Sequence, residues 1–175
     1  MVPVKGIEIL INAFELLADK YPDWMLMIIG DDSTQYAAEL KKDLLNKPVI
    51  MDKVIFTGRQ NNVREFLDMS EIYVQPTLKE GRMEGAPIAI LEAMANEKVI
   101  IGSDIPGIND QLAKFPEHLY KPGDITDLKE RLVYFMSNKK TMNNKIGKIF
   151  SHYVNKNYDI AIEKDNIELF YKNLF

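Results

Sequence analysis

Met25-Leu26-Met27-Ile28-Ile29, followed by Gly30-Asp31-Asp32-Ser33, is an unbroken apolar run that ends in a polar turn. A strand with one face in water alternates apolar and polar residues. An uninterrupted run reads as a strand covered on both faces, which is the mark of a parallel sheet. Moving outward, similar short runs recur at Val54-Ile55-Phe56-Thr57-Gly58, Ile72-Tyr73-Val74-Gln75 and Val99-Ile100-Ile101-Gly102. Ahead of the first run, Ile7, Leu10, Ile11, Phe14, Leu17 and Tyr21 keep helical spacing. Lys5 to about Lys20 is therefore predicted to be an amphipathic helix, stopped by Pro22. Ser33 or Thr34 can cap a helix reaching about Asn46. A short helix should bring Val63, Phe66, Leu67 and Met69 inward. Further helices are expected near Asn109 to Lys114, after Asp124 or Thr126, and from Thr141 onward, with a brief strand at His118 to Tyr120. Strands alternating with helices define an α/β fold with a parallel sheet.

The chain has 175 residues, which suits a single domain over 1–175 with its own core. Residues 155–175 read as a C-terminal helical tail. A net charge of -4 and a pI near 5.3 exclude the basic footprint of a nucleic-acid binder. Cysteine is absent, so there is no disulfide framework, zinc site or thiol chemistry. His118 and His152 stand far apart, do not form a metal-ligand pattern, and read as packing or surface residues. No apolar run reaches membrane-span length, which makes a cytoplasmic protein the default expectation.

Glu84-Gly85-Ala86-Pro87-Ile88-Ala89-Ile90-Leu91-Glu92-Ala93-Met94-Ala95 is the stretch that does not fit a purely structural reading. Pro87 suits a first helical position. From Ile88 to Ala95 the only polar side chain is Glu92, and a helix apolar on all sides is normally buried. Buried carboxylates need partners. Glu92 is thus expected either to meet an internal cation or to accept hydrogen bonds in a cleft. Glu84 lies beside helix-start amides that favour anions. Ligands of parallel α/β sheets bind at the strands' carboxyl ends. That rim here comprises Gly30–Ser33, Gly58–Asn62, Thr77–Gly85 and Gly102–Gly107, and the Glu84–Ala95 stretch opens on it.

The pair Glu84 and Glu92, within Glu-Gly-Ala-Pro-x4-Glu-Ala-Met-Ala, resembles the EX7E motif of retaining glycosyltransferases of the GT-B fold, family 4. Val2-Pro3-Val4-Lys5-Gly6 is similar to the end of that family's Gly-Arg-x-x-x-x-Lys-Gly segment. Val54–Arg59, Val99–Asp104 and Tyr120-x-Pro122-Gly123-Asp124 match its later strands and turns. Glu80-Gly81 imitates the first half of the motif, but only Glu84 keeps the spacing to Glu92. The Gly-x-Met-Glu-Gly-x-Pro loop resembles members from exopolysaccharide assembly. Asn96-Glu97 stands where the family has a small residue and Gly, so the backbone is expected to differ there.

The resemblance implies a Rossmann-like, C-terminal half of a GT-B enzyme, binding a nucleotide-diphosphate sugar and transferring a hexose to a polysaccharide or lipid-linked acceptor. Lys5 would lie at the diphosphate and Glu84 at the donor sugar, the two residues carrying the catalytic assignment. Gly85, Ala86 and Ile88 would offer amides to sugar and phosphate oxygens. Glu92 would accept from the ribose hydroxyls, and Gly58 and Arg59 would flank the base. No metal and no other cofactor is implied, and Asp31-Asp32 reads as turn and cap chemistry.

The matching begins after the family's first C-domain strand. We therefore expect a piece of a longer enzyme, inactive alone, whose acceptor site belongs mainly to a missing N-terminal domain; peripheral membrane association is open for the full enzyme. In a sheet of order 3-2-1-4-5-6 the missing strand is central. Strand 25–29 should then pair directly with strand 72–75, leave a gap beside it, or accept a strand from another chain. The alternatives are a non-catalytic nucleotide-sugar-binding or regulatory module, and a GT-B-related nucleotide-sugar epimerase.

Overall fold

The computed structural model describes residues 1–79 and 85–158. Its first half runs α1 (Ile7–Glu15), β1 (Leu26–Ile29), α2 (Gln35–Leu44), β2 (Val54–Gly58), α3 (Val63–Met69) and β3 (Ile72–Gln75). The second half runs α4 (Ile88–Ala95), β4 (Val99–Ser103), α5 (Ile108–Gln111), β5 (Leu119–Tyr120), α6 (Ile125–Met136) and α7 (Lys140–Asn157). All observed strand pairs are parallel, as the unbroken apolar runs require. β1 pairs with β2, and β3, β4 and β5 form a second group in that order.

Two layers of helices cover the strands. On one side α1 and α6 enclose Val99 and Ile101 of β4, while α1 and α2 enclose Ile28 of β1 and Val54 of β2. On the other side α3, α4, α5 and α7 enclose Ile100, so neighbouring residues of β4 bury in opposite layers. All five β4 residues are buried, which makes it the best-covered strand. Gly102 belongs to this packing, because a Cβ there would lie 2.6 Å from Ile108 and 2.8 Å from Leu112.

Helix ends follow their local chemistry. Thr34 caps α2 by accepting from the Ala37 amide at 3.2 Å. Asp124 caps α6, accepting from Thr126 and Asp127 amides at 3.1 Å each. Regular α1 is shorter than its periodicity suggests: a 3-10 turn occupies Pro3–Lys5, and turns replace helix after Glu15. α7 ends at Asn157, so the remainder of the expected tail, 159–175, lies outside the described residues.

β1 and β3 do not pair with each other. Between them opens a cavity of about 740 Å³, lined on one side by Met25–Ile29 and on the other by Ile72–Pro76. Among the described residues the two strands leave the expected gap rather than pairing directly. In space the order is β2, β1, gap, β3, β4, β5.

The helix α4 terminus answers the expectation for Asn96-Glu97. Glu97 adopts a left-handed φ of 57°. Its amide donates to Met94 O at 3.0 Å, and the Lys98 amide donates to Ala93 O at 3.0 Å. These two bonds form a Schellman cap, whose left-handed position normally carries Gly. The backbone therefore keeps the glycine-like turn, and the side chain is what differs. Glu97→Gly should raise unfolding stability by about 1 kcal/mol, measured by urea denaturation, because it removes the left-handed Cβ penalty.

His118 is a packing residue, as its isolation in the sequence suggests. It is buried, stacked on Phe135 at 4.6 Å, and its Nδ1 hydrogen donates to Ile100 O at 2.6 Å. Burial is the main cause that holds its pKa below the ordinary histidine value. The unfolded chain takes up this proton near pH 6.5 while the folded chain resists it. The stabilisation is complete above that pH and is lost as pH falls toward the folded pKa. Unfolding free energy should thus fall as pH drops from 7 to 5, and His118→Gln should flatten that limb.

Candidate functional site

The site is assembled by the first six residues. The Met1 nitrogen donates to the carbonyl of Asp31, just past β1. Four residues on, Val4 O accepts from the Leu78 amide at 2.8 Å, just past β3. Segment 1–6 thereby spans the gap at the carboxyl ends of both strand groups and makes them one rim. Gly6 permits the closure: its φ is 65°, and a Cβ there would sit 1.9 Å from Pro76 O. Lys5, half-buried at the end of the 3-10 turn, lines the cavity with Met1, Gly30, Asp31 and Pro76.

The β1 and β2 turns meet on the same rim. The Gly30 amide donates to Gly58 O at 3.0 Å. Gly58 takes a φ of 70°, and a Cβ on it would approach Asp32 Oδ1 at 3.2 Å. Arg59 follows and is exposed. Asp31 accepts the Ser33 hydroxyl at 2.7 Å and the Ser33 amide at 3.0 Å, and these bonds hold its carboxyl below the usual value. Asp32 is lowered chiefly by its hydrogen bond from Lys41 at 2.5 Å. Both carboxylates are thus engaged in local turn and ion-pair bonds, in keeping with the turn reading.

α4 supplies the other side. Gly85 and Ala86 are exposed immediately before it. Pro87 is the residue preceding the helix, with an extended ψ of 115°, rather than its first turn. The expectation of a helix buried on all sides is also corrected. Ile90, Ala93 and Met94 are buried, but Ile88 is 71% exposed and Glu92 and Ala95 are exposed. Residues 88, 92 and 95 share one helical face, and that face is open. Glu92 therefore needs no internal cation; its carboxylate projects from the open face, one turn below the amides of the helix start. Glu84, together with the rest of 80–84, lies outside the described residues.

Gln111 and Ser103 are among the buried polar residues that escaped the sequence reading. Gln111 is 1% exposed, and its Nε2 donates to Pro87 O at 3.2 Å, tying α5 to the start of α4. Its Oε1, like Ser103 Oγ at the end of β4, has no partner among the described residues. The available signal was position, three residues after buried Ile108 on the same packing face.

A parallel α/β sheet with glycine turns, a lysine and an open helix start on one rim is the arrangement that suits phosphate-bearing ligands. A family model for glycosyl transferases group 1 matches residues 1–149, and the chain belongs to that family. It is 35% identical over 115 residues to an uncharacterized glycosyltransferase of Haemophilus influenzae, covering 65% of this chain and 30% of that one. It is 26% identical over 137 residues to the N,N'-diacetylbacillosaminyl-diphospho-undecaprenol alpha-1,3-N-acetylgalactosaminyltransferase of Campylobacter jejuni, covering 78% of this chain and 33% of that one. The solved structure of Anabaena HepE in complex with UDP superposes with a TM-score of 0.82 at 18% identity, over 98% of this chain and 46% of that one. The parallel α/β fold expected from the sequence is thus present, matching about half of a GT-B glycosyltransferase structure. The chain spans between 30 and 46% of the length of these relatives. None of the helices among the described residues is long and apolar enough to cross a membrane.

The Gln111 bond can be separated from its volume. Gln111→Ala should lower unfolding stability by about 2 kcal/mol, by leaving a cavity and breaking the tie to Pro87. Gln111→Met should remain within about 1 kcal/mol of the parent, since it fills the space and removes the unpaired oxygen as well. Denaturant titration of the two variants side by side checks this.

Proposed function

We propose that this chain is the donor-binding half of a cytoplasmic, retaining glycosyltransferase. It would hold a nucleotide-diphosphate hexose for transfer to a polysaccharide or lipid-linked acceptor. The observation that carries this reading is the open face of α4, where exposed Glu92 lies one turn from a helix start on the same rim as Lys5. A helix start is a natural phosphate site, and a free carboxylate beside it accepts sugar hydroxyls.

In the reaction, the bond between the sugar's anomeric carbon and the diphosphate oxygen breaks, and the nucleoside diphosphate leaves with the bonding pair. The acceptor oxygen then bonds to the same face of that carbon and passes its proton to the departing diphosphate oxygen. Lys5 stabilises the charge growing on the leaving diphosphate, which is electrostatic catalysis at a developing anion. The amides of Gly85, Ala86 and Ile88 bind sugar and phosphate oxygens, and Pro87 has no hydrogen to give. Glu92 takes the ribose hydroxyls, Gly58 and Arg59 border the base, and Glu84 is assigned to the donor sugar by its spacing from Glu92. The proposal gives no role to a metal or other cofactor. The acceptor is bound mainly by an N-terminal domain of the full enzyme, so the 175-residue chain alone should not turn over. The UDP bound by the Anabaena structure and the undecaprenol-linked substrate named for the Campylobacter enzyme favour the donor and acceptor classes.

Calorimetric titration with uridine, guanosine and adenosine diphosphates tests the reading. One of the three should bind, and Glu92→Ala should weaken it about tenfold, the value of one charge-assisted hydrogen bond. Because Glu92 is exposed and has no partner among the described residues, the variant should fold as the parent does. Lys5→Ala should weaken the diphosphate more than the monophosphate of the same base. Failure of all three nucleotides to bind, or unchanged affinity in Glu92→Ala, would overturn the assignment.

A further inference from the structure

Gln111 is a residue whose presence stability alone does not account for. It is 1% exposed, its Nε2 donates to Pro87 O at 3.2 Å, and its Oε1 has no partner among the described residues. That bond fixes which way its amide is turned, because Pro87 O can only accept. A buried acceptor left unpaired costs free energy that an apolar side chain of similar volume would not. The gain has to lie where the Nε2 points.

It points at a single peptide unit. The carbonyl of Pro87 and the amide of Ile88 belong to the same planar trans peptide, with oxygen and hydrogen on opposite sides. Holding the oxygen therefore sets the direction in which the Ile88 hydrogen projects, away from α5. The same carbonyl accepts from the Ile90 amide at 3.1 Å, so both of its lone pairs are engaged. Bonds to a carbonyl also polarise the N–H of their own peptide and strengthen it as a donor.

The start of α4 leaves that donor open. Pro87 precedes the helix, and no side chain caps it among the described residues. The amides of Ile88 and Ala89 have no acceptor within the helix, as at any helix start. A capping side chain would fix the terminus by occupying first-turn amides. Gln111 fixes it from behind, through an oxygen, and takes none of them.

Gln111 itself stands on a rigid base. Ile108 and Leu112, both fully buried, pack on Gly102 of β4, where a Cβ would lie 2.6 and 2.8 Å from them. The Gly107 amide donates to Asp110 Oδ2 at 3.0 Å and closes the turn into α5. A chain of contacts thus runs from the best-covered strand, through α5, to the rim end of α4. We propose that Gln111 is a positioning residue for the donor diphosphate: it holds the Pro87–Ile88 peptide so that the Ile88 amide is aimed at a phosphate oxygen, without touching the ligand itself. The inference rests on the donor-binding reading above.

The test uses the 175-residue chain and whichever of the uridine, guanosine and adenosine diphosphates it binds, with the matching nucleoside as a phosphate-free control. Gln111→Met keeps the volume and removes the bond. It should weaken the diphosphate about tenfold, the value of one charge-assisted hydrogen bond, while nucleoside affinity and the urea midpoint stay close to the parent's. A second measurement needs no variant. In nitrogen–proton spectra of the parent, the Ile88 amide and the Gln111 side-chain amide should shift together as the diphosphate is added, although Gln111 is buried away from it. Should Gln111→Met fail to fold, that measurement decides. The proposal is overturned if Gln111→Met keeps full diphosphate affinity, if it weakens nucleoside and diphosphate equally, or if the Gln111 signals stay still in the parent. Binding that Glu92→Ala weakens and Gln111→Met does not overturns this proposal alone. A parent that binds none of the three diphosphates overturns the donor-binding reading and this proposal with it.

Discussion

The structure depends on α1 packing in two directions at once. Leu10 and Ala13, with Leu17 of the turn that follows, join the cluster of β4 and α6, whereas Ile11 and Phe14, with Ala18 of the same turn, join that of β1 and α2. Both sets follow the three- and four-residue steps of a helix, rotated by a single residue. The helix is therefore a clamp: one stripe grips the β3–β4–β5 group and the adjacent stripe grips β1 and β2. With no strand between β1 and β3 among the described residues, these contacts and the 1–6 bridge link the two groups. Gly6 is the tightest point of that bridge, since its neighbour Pro76 O occupies the space any side chain would need.

This explains which parts of the fold were legible in the sequence. Met25–Ile29 and Val99–Gly102 could be read as strands of a parallel sheet because their apolar runs are unbroken, and β3 fell on its expected bounds. The gap could be inferred only by asking which strand the order 3-2-1-4-5-6 lacked, not from any residue within it. Helix α1 was overextended at both ends because apolar periodicity continues through residues that actually form turns; Leu17 and Ala18 are buried without being helical. Periodicity reports which side chains face the core, and a turn can present them as well as a helix can.

The motif helix shows the opposite failure. Its composition reads as wholly buried, yet one side is open, because Ile88 and Ala95 are apolar residues placed in solvent beside Glu92. A pattern of apolar and polar letters carries no information where the exposed letters are themselves apolar. The lone carboxylate lies on the open face and is not a buried charge awaiting a cation. Gln111 is the converse case, a polar letter that is buried to hold the carbonyl of Pro87.

The charges on the rim follow from these placements. Three carboxylates, Asp31, Asp32 and Glu92, lie on an edge that would have to accept a diphosphate, and like charges there would repel it. Asp31 is occupied by the hydroxyl and amide of Ser33, and Asp32 by Lys41. Both stay ionised below the usual carboxylate range, which keeps the Ser33 and Lys41 bonds intact across neutral pH. Their charge is thus spent within the β1 turn, where it draws the loop against Gly58. Glu92 has no such partner among the described residues and stands on the open face of α4. An exposed carboxylate and the amides of a helix start thus share one short helix.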